Sequence, residues 1–343
     1  MRIVSWNVNG IKSCQEAIRR YLIDKKPDVL CINELKLSRG PLKLVVAHIM
    51  GGQIGEVYDG IWNPCLKGAW HGTAVLAKKT LGMKVLASKL EIRAKPGEVS
   101  PWLAKTLLEL GPSHIREERR EVSSGEIVKA HQEEGRLLAV SLTPPVNEDS
   151  KMDESNEIVL VATYVPNSGV NFKDPLKRLA YRVHHWDADL FAYLLELEKT
   201  YEGRVIWCGD LNVVHHETDV SFFKRRVGCA GVTHDERASF DGFLSTTPFY
   251  DAWRDLYPED VAYSFYNAKY PVAGPLKKGK HMLDDGWRLD YFIVHKALKG
   301  HVQDVTIDLE DDSTYATKVG GCGSGKSSMR VSDHLPMSLY LDF

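Results

Sequence analysis

The residues with the most chemical content lie in Arg204–Asp219, which reads RVIWCGDLNVVHHETD. Val205 to Cys208 is an apolar run of strand length. Gly209 ends it with a residue that turns tightly and leaves room for a substrate to approach. Asp210 and Asn212 follow, and in an extended chain an i, i+2 pair shares one face. A carboxylate at a sheet edge can hold a metal or take a proton from water, and an amide can fix an oxyanion. Alone, the pair reads equally well as an Asx turn closing a strand.

Five further apolar runs carry polar groups at their tips. Asn7 and Asn9 follow RIVSW, Glu34 follows DVLCIN, and Tyr164 and Asn167 close the run from Ile158. Asp290 opens DYFIV, and Asp333 and His334 precede the last run, Met337–Leu341. Six such tips together are hard to attribute to capping. Glu34, Asp210 and Asp333 offer hard oxygen ligands, with Asn7 and Asn9 in support, a set suited to Mg²⁺ plus waters and phosphate oxygens. His334 can carry charge near neutral pH, with Asp290 to orient it. The chemistry indicated is metal-assisted attack on a phosphoester.

Positioning such tips requires many strands. Apolar runs predict strands over Arg2–Trp6, Asp28–Asn33, His71–Ala77, Arg136–Leu142, Ile158–Tyr164, Ala262–Tyr266, Gly286–Val294 and Met337–Leu341. Helical spacing predicts helices over 13–24 and from Asp174 to about Lys199, and a capping box at Thr233–Glu236 opens another over Asp235–Leu244. Tyr250–Leu256 reads as a short helix, and residues 40–70 show no clear pattern. Polar, charged segments near 88–133 (with a short helix at Pro101–Leu110), 143–156 and 306–330 read as surface insertions. The fold expected is α/β: a single domain over 1–343, with two packed central β-sheets flanked by helices.

The 343 residues are of ordinary globular composition, and the net charge of −2 excludes a globally basic polyanion binder. DNA binding would need a local patch. The six cysteines are widely spaced without a CxxC pair, so all six are expected reduced in an intracellular protein. No run reaches the ~20 apolar residues of a membrane helix, and no signal peptide precedes the first strand.

The ordered series WNVNG (6–10), PDVLCINELK (27–36), EGRLLAV (134–140), YVPNSG (164–169), GDLNVVHHETD (209–219), THDER (233–237), GWRLDYF (286–292) and SDHLP (332–336) resembles the exonuclease III branch of the endonuclease/exonuclease/phosphatase superfamily, the abasic-site endonucleases of base-excision repair. The resemblance implies a four-layered α/β sandwich that uses Mg²⁺, for which Mn²⁺ can substitute. It implies a metal site of Glu34, the principal ligand, with Asn9 and Asp333 completing the surroundings and Asp210, Asn212 and His334 as further metal-site residues. Asp210 would activate the attacking water. Tyr164, Asn212 and His334 would orient or stabilise the phosphate, with Asp290 holding His334 and with Asn7 and Asn167 in support. Phe265, Trp287 and Leu289 would form the apolar pocket for an extrahelical abasic sugar. The implied substrate is double-stranded DNA with abasic sites or blocked 3′ ends, cut 5′ to the lesion to leave a 3′-hydroxyl, with some 3′–5′ exonuclease or 3′-end trimming. A monomer is expected, in the nucleus of a eukaryote or the cytoplasm of a bacterium. Two rivals are a superfamily phosphoesterase acting on RNA, inositol phosphates or sphingolipids, and a non-catalytic adaptor built on the fold.

The sequence departs from the family pattern at Asn33, Val170, Lys224–Arg226, Cys229 and Lys269, positions that concern DNA contacts. Gly320–Ser327 matches a P-loop pattern but lacks the strand before and helix after that nucleotide binding needs. His184-His185 and His215-His216 read as surface histidines, because adjacent residues do not share a face and so do not suggest zinc.

Overall fold

The computed structural model describes residues 1–66, 68–93, 100, 102, 127–144, 156–169, 175–266, 286–308 and 331–343. In chain order the first strands are β1 (Arg2–Asn7), β2 (Val29–Asn33), β3 (Tyr58–Pro64), β4 (Gly72–Lys78) and β5 (Lys84–Ala87). Next come β6 (Leu137–Leu142), β7 (Ile158–Tyr164), β8 (Val205–Asp210) and β9 (Phe249–Asp251). The last are β10 (Phe265–Tyr266), β11 (Gly286–Trp287), β12 (Asp290–His295), β13 (Val302–Ile307) and β14 (Met337–Leu341).

They form two six-stranded sheets, ordered β13-β14-β1-β2-β4-β3 and β5-β6-β7-β8-β12-β9, and a small ribbon of β10 with β11. Strand alternation builds the layers. Ile3, Val29, Cys31 and Val75 of one sheet meet Leu138, Leu160, Ile206, Cys208 and Phe292 of the other between the sheets. Their neighbours Val4, Leu30 and Ile32 face outward under helix Ile11–Asp24, while Val161, Val205 and Trp207 lie under helices Ala188–Thr200 and His234–Thr246. The expected four-layered α/β sandwich is therefore present. Among the described residues, no helix is long and apolar enough to cross a membrane.

Several elements differ from the sequence reading. Residues 40–70 hold two helices, Arg39–Ile49 and Gln53–Val57, and strand β3. β5 and β13 are edge strands with half-exposed residues, whose weak apolar signal hid them. The helix expected to run unbroken to Lys199 is Pro175–Tyr181, a π-helical turn at Arg182–Asp187, and Ala188–Thr200. There the buried Arg182 pairs with Asp187 at 3.2 Å and donates to the Leu211 carbonyl. A widened turn at such a point is a common adjustment near functional sites.

The 88–133 segment is joined to the core at several points. Leu90 and Ile127 are buried among β6, β7 and the helices. Trp102 packs edge-on against Phe191 and Phe243. A Cβ on Gly242 would lie 2.3 Å from the Trp102 carbonyl oxygen. His131 is buried, 3.0 Å from Asp189 and 3.1 Å from the Tyr181 hydroxyl. The expected helix at Pro101–Leu110, apart from Trp102, lies outside the described residues, as do 309–330, the P-loop-like sequence, Val170 and Lys269.

Two smaller expectations need correction. Gly209 lies inside β8 with φ 135°, and a Cβ there would sit 1.9 Å from the Thr163 carbonyl of β7. The neighbouring strand, not a substrate, is what requires glycine. His185 is buried, not on the surface, and its ring stacks on Tyr181. The cysteines at 14, 31, 65, 208 and 229 are free thiols.

Candidate active site

Strand register creates the central row. Asp210, the last residue of β8, is paired with Tyr164 at the end of parallel β7 and with Asp290 at the start of antiparallel β12. Across the sandwich, β1 and β2 run parallel and end together at Asn7 and Asn33. Both sheets therefore deliver their polar tips to the same end of the molecule. The sheets meet through Asn7 Nδ2, which donates to Asp210 Oδ2 at 2.9 Å.

Around Asp210 the groups are tightly held. The Asn212 backbone N–H donates to Asp210 Oδ1 at 3.0 Å. Asn212 Nδ2 donates to the Val165 carbonyl, and its Oδ1 accepts from Asn167 Nδ2 at 2.9 Å. His334 lies between two carboxylates: Nδ1 is 2.8 Å from Asp290 Oδ2, and Nε2 is 3.8 Å from Asp210 Oδ2. Ser264 Oγ accepts from the backbone N–H groups of Leu289 and Asp290, fixing the entry to β12. Ser332 Oγ donates to the Asn7 carbonyl and accepts from the His334 backbone N–H, tying the SDH turn to β1.

Burial and charge set the protonation of this row. Burial pushes the Asp210 carboxyl up to about 7, helped by the charges of Asp290 and Glu34 and opposed by His334. Burial alone would keep His334 neutral, but Asp290, Asp210 and Asp333 raise its imidazole to about 10. At neutral pH it is an imidazolium, with both nitrogens bearing protons. Burial and the nearby Glu34 charge push the Tyr164 phenol well above its ordinary value, so it is a hydrogen-bond donor.

The second cluster surrounds Glu34. Tyr164 OH donates to Glu34 Oε1 at 3.0 Å, and Lys36 Nζ lies 2.9 Å from the same oxygen. Lys36 also donates to Asn9 Oδ1, while Asn9 Nδ2 donates to Asp333 Oδ1 at 2.9 Å. Asn9, Glu34, Lys36 and Asn212 all have positive φ, between 47° and 62°. Non-glycine residues seldom adopt that conformation, and clusters of them concentrate at functional sites. The oxygens of Glu34, Asp333 and Asn9 form a hard donor set of the kind Mg²⁺ takes together with waters. The carboxamide of Asn33, the residue before Glu34, is fully buried with no hydrogen-bond partner for either atom. A buried amide in that state calls for ordered water or a hydrated ion. The residues present thus fit a small hydrated divalent cation. His334 is engaged by Asp290 Oδ2 at Nδ1, and its Nε2 lies 3.8 Å from Asp210 Oδ2. Asn212 is committed through both side-chain atoms to Asn167 and Val165.

Phe265, Trp287 and Leu289 are brought together with Val214, Val220, Val232 and Phe223 in one small apolar cluster. Phe265 pairs with Trp287 across the β10–β11 ribbon and, on its other side, bridges to His334, with ring centres 4.9 Å apart. An apolar patch therefore adjoins the His334 end of the polar row. Lys36, Arg136, Ser264 and Ser332 belong to the site but were not picked out from the sequence. Arg136 offered a signal, a charged residue at the mouth of a wholly buried strand; the serines offered none.

Fold and site together define an α/β sandwich with an acid-rich polar site at one end of its paired sheets. The chain belongs to the Endonuclease/Exonuclease/phosphatase family, whose model matches residues 4–334. It is 29% identical over its whole length to a DNA-(apurinic or apyrimidinic site) endonuclease of Dictyostelium discoideum, covering 71% of that protein. It is 28% identical to an exodeoxyribonuclease of Bacillus subtilis, covering 90% of this chain and 94% of that one. Among solved structures it is similar to the AP endonuclease of Leishmania major, with TM-score 0.68 and 26% identity over 100% of this chain and 87% of that one.

Proposed function

We propose that this protein is a divalent-cation-dependent DNA phosphodiesterase that cuts 5′ to abasic sites and leaves a 3′-hydroxyl, with 3′-end trimming as a further activity. The observation that carries the reading is the row Asp210–His334–Asp290 standing directly against the Phe265 ring. A phosphate at His334 would place its attached sugar on Phe265, Trp287 and Leu289. That small apolar patch suits a sugar without a base, which also has the least to lose on leaving the duplex.

Asp210, placed by Asn7 and the Asn212 N–H, takes a proton from the attacking water through Oδ2. His334, kept protonated by Asp290, donates from Nε2 to a phosphate oxygen and stabilises the charge that develops there. Asn212, oriented by Val165 and Asn167, flanks the same oxygens. Glu34, Asp333 and Asn9 would hold Mg²⁺, or Mn²⁺ in its place, which supplies Lewis-acid neutralisation of phosphate charge. Tyr164 fixes the Glu34 carboxylate. The relatives named as abasic-site endonuclease and exodeoxyribonuclease support DNA as the substrate.

The test is cleavage of duplexes carrying one abasic site, a 3′-phosphate or no lesion, with Mg²⁺ and with chelator. Trp287→Ala should reduce the preference for abasic over undamaged DNA more than it reduces cleavage itself. No cleavage of any DNA, with hydrolysis of inositol phosphates or RNA instead, would sink the reading. Binding without turnover on every phosphoester would favour the adaptor.

A further inference from the structure

Next to the apolar cluster runs a segment that the chemistry above does not use, Val220–Val227, reading VSFFKRRV. Phe222 holds a φ of 55°, conformationally costly for a bulky side chain, and the residue is 51% exposed. Among the described residues seven non-glycines have positive φ; four belong to the catalytic site, and Phe222 is the one aromatic. Backbone strain that keeps an apolar ring in water is unexplained by folding alone.

Three cations follow it. Arg225 lies 5.4 Å over the Phe222 ring, and Arg226 lies 5.4 Å over the Trp287 ring. Lys224 and Arg225 are exposed and form no ion pair among the described residues. In a chain of net charge −2 this is a concentrated positive patch. Phe222 and Phe223, with Val220, Glu217, Thr218, Lys224 and Arg225, line an open cleft of about 470 Å³. Val220 and Phe223 line the cleft and also belong to the apolar cluster of Phe265, Trp287 and Leu289.

We infer that this cleft is a second subsite, which takes one unpaired nucleobase of the DNA strand beside the scissile phosphate. The base stacks on Phe222, its edge meets Glu217 and Thr218, and its flanking phosphates sit on Lys224 and Arg225. An aromatic face with adjacent cations is the arrangement that binds single-stranded nucleic acid without sequence preference. The inference rests on the proposed DNA substrate. It adds that the enzyme favours lesions flanked by a mismatched or frayed base over lesions in fully paired DNA.

The experiment uses the full-length protein in chelator, so that nothing is cut. Fluorescence anisotropy would measure binding to two duplexes with a tetrahydrofuran abasic analogue, one fully paired and one with a single unpaired base next to the analogue. Wild type should bind the second more tightly. Phe222→Ala should weaken that binding about tenfold, as expected for one lost base–aromatic stack, and change the paired duplex less than twofold. Phe222→Trp should restore it. Lys224→Ala with Arg225→Ala should weaken both duplexes alike and flatten the salt dependence. An equal effect of Phe222→Ala on the two duplexes, or no effect, overturns the subsite while leaving the nuclease reading intact. Wild type that neither binds nor, with Mg²⁺ restored, cuts either duplex overturns both.

Discussion

The guanidinium of Arg136 lies 4.9 Å from the ring centre of Tyr164. The same arginine donates to the Tyr164 carbonyl at 3.1 Å, contacts the His71 ring and is held by Glu134 at 2.5 Å. It is 2% exposed. Its fork is thus anchored, and its central carbon lies over a ring whose hydroxyl donates to Glu34. In the proposed mechanism Arg136 would be a positioning residue, acting on Glu34 only through Tyr164.

A double-mutant cycle tests that role. Arg136→Lys keeps the charge but loses the planar fork, and should lower kcat about tenfold with little change in KM. In a Tyr164→Phe background it should cost almost nothing more. Equal losses of rate in both backgrounds would mean that Arg136 acts elsewhere.

Removing Glu34 tests the cation site. Glu34→Ala should cut turnover and raise the Mg²⁺ concentration for half-maximal rate, so that added Mg²⁺ restores part of the activity. Full activity of the wild type in chelator would remove the cation from the mechanism.

The pH profile should be bell-shaped. Asp210 must be ionised to accept a proton, so activity rises through about pH 7. His334 must be protonated to donate, so activity falls through about pH 10. A bound cation moves the acid limb lower. Asp290→Asn removes the charge that keeps the imidazole protonated and should bring the alkaline limb down towards neutrality. Asp210→Asn should lose ~10²–10⁴-fold in turnover with DNA affinity nearly unchanged. An alkaline limb that stays in place in Asp290→Asn would show that His334 is not its source.

Stability in acid should depend on Asp219. Burial pushes its carboxyl up, but Arg288, with Arg254, holds it down at about 2. A depressed carboxylate stabilises the fold above its unfolded pKa, near 4, and that contribution fades as pH falls towards 2. Asp219→Asn leaves Arg288 with one carboxylate, Asp251, and should cost about 3–5 kcal/mol at pH 7. Its denaturation midpoint should then vary less between pH 5 and pH 3 than that of wild type.

The 88–133 segment offers a stability test of a different kind. Because Leu90 and Ile127 fill the core beside Trp186 and Phe191, Ile127→Ala should cost about 2–5 kcal/mol. Replacing all of 90–132 by a Gly/Ser linker should lose the cooperative melt. A linker variant that melts like wild type would show that these contacts contribute little.

The strands at the centre of both sheets were legible in the sequence because they are buried on both faces, which leaves an unbroken apolar run. Their polar tips were legible for the same reason, as each stood out against such a run: Glu34, Asp210, Asp290 and His334 were all found in this way. The edge strands β5 and β13 were not, since half-exposed residues carry little pattern. Only the tertiary structure decided how the tips combine. That Asn7 reaches Asp210 across the two sheets, that His334 lies between Asp210 and Asp290, and that Phe265 abuts His334 all depend on strand order and register, which join residues from 44 to 203 positions apart. Local periodicity holds no information about such distances. It equally could not show that Gly209 makes room for a neighbouring strand, or that charged sequence near 88–133 ends in buried side chains, because both are properties of what packs against them.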